Sequence, residues 1–242
     1  MKQVALITGA SSTIGIAIAK KLANKKIPLI LHYYRNKERI DEFMRQQITG
    51  NDLLAFSVDL STIEGIENLF RQIEKTGLKP TILINNVGAS HYGLIQDVTY
   101  EEYQKIMNIM VMSTFFCSQK VVPNMIRQKF GRIINISSVW GQVGAANEVL
   151  YSMAKGAIDS FTKALAKELA PSGITVNAIA PGIVLSPMMA NFSQEELEMM
   201  KNEIPMNRFA KPEEIASLVV HLLQPESSYI TGQIIRIDGG WV

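Results

Sequence analysis

Cysteine is nearly absent: the 242 residues hold one, Cys117. A single thiol excludes an internal disulfide framework and a multi-cysteine zinc site. Histidine is almost as scarce. His32, His91 and His221 are scattered without metal-ligand spacing, so no metal is expected. Neither sign of charge dominates, with 24 Lys and Arg against 22 Asp and Glu. The densest cationic stretch, Arg35 to Arg39, is diluted by Asn36 and Glu38. A nucleic-acid partner is therefore not expected. No apolar run approaches the roughly 18 residues of a membrane span. Ile106 to Cys117 comes nearest and is broken by Asn108, Ser113 and Thr114. Met1-Lys2-Gln3 leads straight into an apolar run without a leader pattern. A soluble, cytoplasmic protein with no membrane association is expected. Linkers, repeats and low-complexity segments are also lacking.

What is present is core material. Hydrophobic residues make up 47% of the chain and charged residues 19%, which excludes intrinsic disorder. Short β-branched runs alternate with helical patterns throughout. Strands are expected at Val4 to Thr8, Pro28 to Tyr33, Leu53 to Val58, Thr81 to Ile84, Arg132 to Ser137, Ile174 to Ile179 and Gln233 to Ile237. Helices are expected at Ile14 to Lys25, Lys37 to Gln47, Ile63 to Lys75, Leu150 to Leu169, Ser193 to Asn202 and Pro212 to Leu223. A longer helix, Tyr100 to Gln128, has its expected joint at Pro123. Helical crossovers between buried strands imply parallel pairing with helices on both faces. The predicted fold is α/β: a Rossmann-type doubly wound parallel sheet of about seven strands, one domain over residues 1–242.

Such sheets bind ligands beyond the carboxyl ends of their strands. Thr8-Gly9-Ala10-Ser11-Ser12-Thr13-Ile14-Gly15 follows the first strand. A glycine there permits a tight turn, and the helix start that follows presents free N–H groups to a pyrophosphate. A plain βα loop is the alternative. Asp59 closes the third strand, where it would accept from an adenine amino group or cap the next helix. Asn85-Asn86-Val87-Gly88 closes the fourth, as a ligand contact or a simple turn.

Ile136-Ser137-Ser138 ends the fifth strand. Tyr151 and Lys155 follow at i and i+4 on one helix face. An ammonium beside a phenol favours the phenolate and suits the tyrosine to proton transfer near neutral pH. A serine hydroxyl would hold the substrate oxygen while a nicotinamide delivers hydride. Taken alone, this spacing also occurs on ordinary helices.

With the Gly9 turn, the Asn85 segment, Ser138, Tyr151, Lys155 and Pro181-Gly182, the sequence resembles the short-chain dehydrogenase/reductases over nearly its whole length. It is most similar to the 3-oxoacyl-acyl-carrier-protein reductases, through Ile133 to Ser138, Gly173 to Gly182 and Ser228 through Asp238-Gly239-Gly240. The resemblance implies that Ser138 orients the carbonyl, Tyr151 is the acid/base, and Lys155 holds the ribose and tunes the tyrosine. It implies cofactor contacts at Gly9, Ser11, Ser12, Ile14, Gly15, Tyr34, Arg35, Asp59, Leu60, Asn86, Gly88, Tyr151, Lys155, Val184 and Ser186. It also implies an acyl thioester substrate, an acyl carrier protein as a candidate partner, and a homo-tetramer assembled through the two long helices and the C-terminal strand. Sugar, polyol and alcohol dehydrogenases share much of this pattern, and a non-catalytic nucleotide-binding relative is the remaining alternative.

Several positions depart from the family. Thr13 replaces a third glycine, and Ser12 a basic residue that NADP-using members often carry. Tyr33-Tyr34-Arg35-Asn36-Lys37 contains no carboxylate of the kind that favours NAD. Arg35 instead suits an adenine and a phosphate. NADP(H) is the expected cofactor, although Arg35 and Lys37 also fit a solvated helix start. Arg127, Lys129 and Arg132 are expected to meet an acidic carrier, while Ser172 stands where a further arginine is expected. Met110 falls where the family has its catalytic asparagine.

Overall fold

The computed structural model describes residues 3–47, 52–186, 189 and 192–242, so the Met1-Lys2 start lies outside the described residues. The strands are β1 (Ala5–Ile7), β2 (Leu29–Tyr33), β3 (Leu53–Ser57), β4 (Ile82–Asn85), β5 (Gly131–Ile136), β6 (Ile174–Pro181) and β7 (Ile234–Ile237). They form one seven-stranded sheet in the order β3-β2-β1-β4-β5-β6-β7, with every pairing parallel. The order reverses between β1 and β4, which opens a crevice at their carboxyl ends.

The helices are α1 (Thr13–Asn24), α2 (Lys37–Gln46), α3 (Ile63–Lys75), α4 (Tyr100–Met107), α5 (Ser113–Gln128), α6 (Trp140–Val143), α7 (Val149–Leu169), α8 (Gln194–Asn202) and α9 (Pro212–Leu222). Successive strand residues point to opposite faces, so each strand feeds two cores. Ala5, Ile7, Leu29 and Leu31 pack with Ile18 and Leu22 of α1 and Ile215 and Val219 of α9. Leu6, Ile30, Leu83 and Ile133 pack with Leu69 of α3, Val121 of α5 and Leu169 of α7. Cys117 lies in this second core, where burial pushes its thiol up to about 12. The thiol is therefore held in its unreactive protonated form.

Element types follow the sequence expectation, with ends shifted by one or two residues. The long helix is the exception. Its joint is a π-helical turn at Asn108–Met112, not Pro123, which lies inside α5. Pro123 removes only the bond to the Gln119 carbonyl, on an exposed stretch open to solvent. At the π turn the Ser113 hydroxyl donates to the Ile109 carbonyl and Thr114 Oγ1 donates to that of Met110 at 2.7 Å. Short helices at α6 and at Ala170–Ser172 and Pro225–Ser227 escaped the sequence reading. Among the described residues no helix is long and apolar enough to cross a membrane, and no His, Cys, Asp and Glu cluster could hold a metal.

Candidate active site

The phosphate turn is built from both sides. Gly9 has φ +63 and its N–H donates to Nδ1 of His32 at 3.2 Å. Ala10 N–H donates to the His32 carbonyl at 2.8 Å. The other ring nitrogen of His32 donates to the Val58 carbonyl at 2.9 Å. These roles require a neutral imidazole, and burial holds its pKa down at about 4. From β4, the Asn86 side-chain amide donates to the carbonyls of Thr8 and Gly9 and to Ser12 Oγ at 3.2, 2.9 and 3.0 Å. Its side chain thus shapes the turn. Ser12 is the α1 N-cap and accepts from Gly15 N–H at 3.0 Å. Gly15 is needed for packing: a Cβ there would lie 2.5 Å from the Gly9 carbonyl oxygen. Among the described residues nothing takes the Thr13 and Ile14 N–H groups at the start of this helix. That cradle suits a pyrophosphate. Thr13 fits because it sits on the first helical turn, where no positive φ is demanded.

The adenosine end lies beside it. Ser11 Oγ donates to the Arg35 carbonyl at 3.0 Å, tying the turn to the end of β2. Tyr34 is exposed, and the Arg35 guanidinium stands 5.7 Å from its ring centroid. Asp59 Oδ1 accepts from Ser61 N–H at 2.8 Å in a local turn, while Thr62 is the α3 N-cap. Bonds from Ser61 and the Tyr34 hydroxyl, with the nearby Arg35 charge, outweigh desolvation and hold Asp59 below the usual carboxylate range. Leu60 is buried beside it, and Gly88 stands at the switch point. Val184 bridges to Ala210 in the segment after β6, and Ser186 follows two residues on.

Ser138, Tyr151 and Lys155 meet at the end of β5. Gly141 makes this possible: a Cβ on it would lie 2.8 Å from the Lys155 carbonyl carbon, so α6 sits directly on α7. The Ser138 side chain is hydrogen-bonded to the Tyr151 hydroxyl. Lys155 Nζ donates to the Ile136 carbonyl at 2.8 Å and lies 5.6 Å from the Tyr151 ring centroid. The electrostatics correct the sequence expectation. Burial pushes the Tyr151 phenol up, against the Ser138 bond and reinforced by the Glu148 charge. Burial also drives Lys155 down to about 8, opposed by Asp159. The ammonium does not yield a phenolate here; the arrangement holds a protonated tyrosine, the form that donates.

Met110 is fully buried in a small apolar cluster with Ile106, Leu150 and Ile158. Its sulfur and the Lys155 ammonium both face Gly88, whose built Cβ would lie 4.0 and 3.8 Å from them. Asn108 does not take the Met110 position despite the π turn. The Ile109 and Met110 carbonyls each already accept a hydroxyl, from Ser113 and Thr114. A thioether donates nothing and accepts weakly. Met110→Asn is expected to raise kcat severalfold with little change in KM, and to lower Tm because an amide enters an apolar cluster. Steady-state kinetics beside a melting curve check both signs; an unchanged kcat in the folded variant makes Met110 a packing residue only.

Three features went unread in the sequence. One is His32, a polar residue in an otherwise apolar strand. The second is a buried amide chain, in which Asn85 donates to Ser118 Oγ at 3.1 Å and to Asn135 Oδ1 at 2.8 Å, and Asn135 to Thr162 Oγ1 at 2.8 Å. The third is Trp140, packed against Trp241 with ring centroids 4.8 Å apart and ring planes tilted by 59°. One expectation fails: Arg132 is buried, its guanidinium bonded to the carbonyls of Gly131 and Gly173. Arg127 and Lys129 precede the first residue of β5, whereas Ser138 follows its last.

A family model described as "Enoyl-(Acyl carrier protein) reductase" matches residues 9–242. The chain is 45% identical over 244 residues to "Uncharacterized oxidoreductase YmfI" of Bacillus subtilis, covering 100% of this chain and 99% of that one. It is 35% identical over 242 residues to a "3-oxoacyl-[acyl-carrier-protein] reductase" of Synechocystis, covering 99% and 97%. Among solved structures it superposes with a TM-score of 0.93 at 29% identity on "YwfH, NADPH dependent reductase involved in Bacilysin biosynthesis", covering 100% and 99%. The match over nearly all of its length and the seven-stranded parallel sheet agree: the chain belongs to the short-chain dehydrogenase/reductase family of oxidoreductases.

Proposed function

We propose that this oxidoreductase uses NADPH to reduce a 3-oxoacyl thioester to the 3-hydroxyacyl thioester. The observation that carries the reading is the Ser138–Tyr151 hydroxyl pair beside the buried Lys155, at the sheet edge that also holds the phosphate turn. Bound reduced cofactor supplies the hydride, which adds to the carbonyl carbon. Ser138 and Tyr151 hold the carbonyl oxygen, and Tyr151 gives it a proton, becoming a phenolate that solvent must reprotonate. Lys155 holds the ribose and stabilises that phenolate. Gly9, Ser11, Ser12, Ile14 and Gly15 cradle the pyrophosphate. Tyr34, Arg35, Asp59 and Leu60 take the adenosine; Asn86, Gly88, Val184 and Ser186 border the ribose and nicotinamide.

Support for the substrate class is the similarity to the Synechocystis reductase. An acyl carrier protein or coenzyme A would carry the acyl group. One domain spans residues 1–242, working in the cytoplasm as a homo-tetramer. Half-exposed Phe115, Ile126 and Met153 on α5 and α7 supply apolar surface for that assembly, which a monomeric solution mass would refute. The test of function is consumption of reduced nicotinamide with acetoacetyl thioesters, against enoyl thioesters, sugars, polyols and alcohols. Turnover confined to the 3-oxoacyl compounds is expected. Turnover only with a sugar or alcohol would assign another substrate, and binding without turnover a non-catalytic role.

NADPH preference is assigned to Arg35, which no carboxylate on the Tyr33 to Lys37 segment opposes. Arg35→Asp is expected to weaken NADPH by about tenfold or more, the scale of a lost charge-assisted bond, and to spare NADH. Fluorescence titration with both cofactors checks it; equal affinities in the native protein would contradict the assignment.

A further inference from the structure

Trp241, one of the two tryptophans in the chain, follows the turn Asp238-Gly239-Gly240. Gly239 and Gly240 take φ +69 and +84, a backbone that side chains resist. Asp238 holds the turn closed: its Oδ1 accepts from Gly240 N–H at 3.0 Å and its Oδ2 from Val242 N–H at 3.3 Å. The turn folds Trp241 back over the end of β6, where Gly182 leaves room for the indole. A Cβ on Gly182 would lie 3.1 Å from the Asp238 α-carbon and 3.5 Å from Cε3 of Trp241. The same indole meets the other tryptophan, Trp140, at 4.8 Å between ring centroids.

Each of these two contacts leads to one half of the reaction site. Trp140 donates its backbone N–H to Ser138 Oγ at 3.2 Å, so its ring is tied to the serine assigned to the carbonyl. Gly182 stands two residues before Val184, assigned above to the nicotinamide. The two segments are also joined directly, by Val139 N–H donating to the Pro181 carbonyl at 3.1 Å. One hydrogen bond fixes a distance and leaves rotation about it open. The indole, touching both segments, supplies a second point of contact and removes that freedom. We propose that Trp241 is a positioning residue for hydride transfer, wedged between the Ser138–Trp140 segment and the Pro181–Val184 segment so that carbonyl and nicotinamide are held at reacting distance. The inference rests on the carbonyl-reductase reading above and holds for any carbonyl compound the protein reduces.

The test is a stopped-flow comparison of native protein, Trp241→Ala and Trp241→Phe, each loaded with NADPH and mixed with acetoacetyl N-acetylcysteamine thioester or whichever carbonyl compound the native protein reduces. Trp241→Ala is expected to lower the first-turnover rate constant about tenfold or more, since a misplacement of about 1 Å can cost 10²-fold. Its NADPH titration is expected to stay close to native, because the phosphate turn and Arg35 lie on other elements. Trp241→Phe is expected to recover much of the rate, as a phenyl ring refills the contact. A merely structural role would lower the amplitude, the share of competent protein, and leave the rate constant native. Trp241→Leu carries the same expectation as alanine if the alanine variant does not fold. The pair is also read without cofactor or substrate. As the only indoles, the two rings should give a coupled circular-dichroism band that every one of these variants loses. Absence of that band in native protein, or a native first-turnover rate constant in Trp241→Ala, overturns the proposal. If native protein reduces no carbonyl compound, the reductase reading falls and this proposal with it, a result visible before any substitution is made.

Discussion

Tyr151→Phe is expected to lower kcat for carbonyl reduction by about 10²–10⁴-fold, the range of a general acid–base step, while NADPH affinity stays close to native. Only the hydroxyl is removed, and the phosphate turn and Arg35 lie on other elements. The electrostatics favour Tyr151 as a donor at neutral pH. Burial raises its pKa above the ordinary phenol value, so the proton is in place before the carbonyl arrives. Loss of that proton to the carbonyl is helped by the Lys155 ammonium, because the product phenolate is the charge it stabilises. Stopped-flow turnover and an equilibrium titration of the same preparation separate the two effects. Retention of most of the activity would place the proton donor elsewhere.

Lys155→Met should damage both functions, lowering kcat by about a hundredfold or more and weakening NADPH as well, since one ammonium serves the phenol and the ribose. Its pH dependence has a definite sign. Burial drives the native lysine down to about 8, so it is an ammonium below that value and neutral above it. The native reduction rate is therefore expected to be level on the acid side and to fall as pH rises through about 8. Lys155→Met should lose that limb along with the activity. A pH–rate profile under saturating cofactor checks both. A native rate that climbed through the same interval would mean that reduction does not depend on the charged lysine.

Much of the architecture could be read from periodicity alone. Runs such as Leu29–Tyr33 and Ile174–Pro181 are buried along their whole length, and the alternating helices made parallel crossovers the only economical connection. Tyr151 and Lys155 were legible because helical spacing is local. The π turn at Asn108–Met112 was not, since one extra residue per turn leaves the apolar pattern of a helix nearly intact while shifting its face. Pro123 misled for the converse reason: its local signal is strong, but the bond it removes lies on an exposed stretch. The depressed lysine and raised phenol depend on burial, which sequence spacing does not report. Arg132 looked like a surface cation until β5 buried it beneath the Gly173 turn. His32 carried a readable signal, a polar side chain in a wholly buried strand that had to find partners for both nitrogens. The Asn85–Asn135–Thr162 chain carried none, because its members are 50 and 27 residues apart.

The account turns on hydride transfer to a 3-oxoacyl carbonyl. Its most direct measurement is mass spectrometry of the product formed from acetoacetyl thioester and NADPH deuterated on both faces at its hydride-donating carbon. The account predicts a 3-hydroxybutyryl thioester carrying one deuterium at the carbon that bears the new hydroxyl. No product, or product without the label, would contradict it.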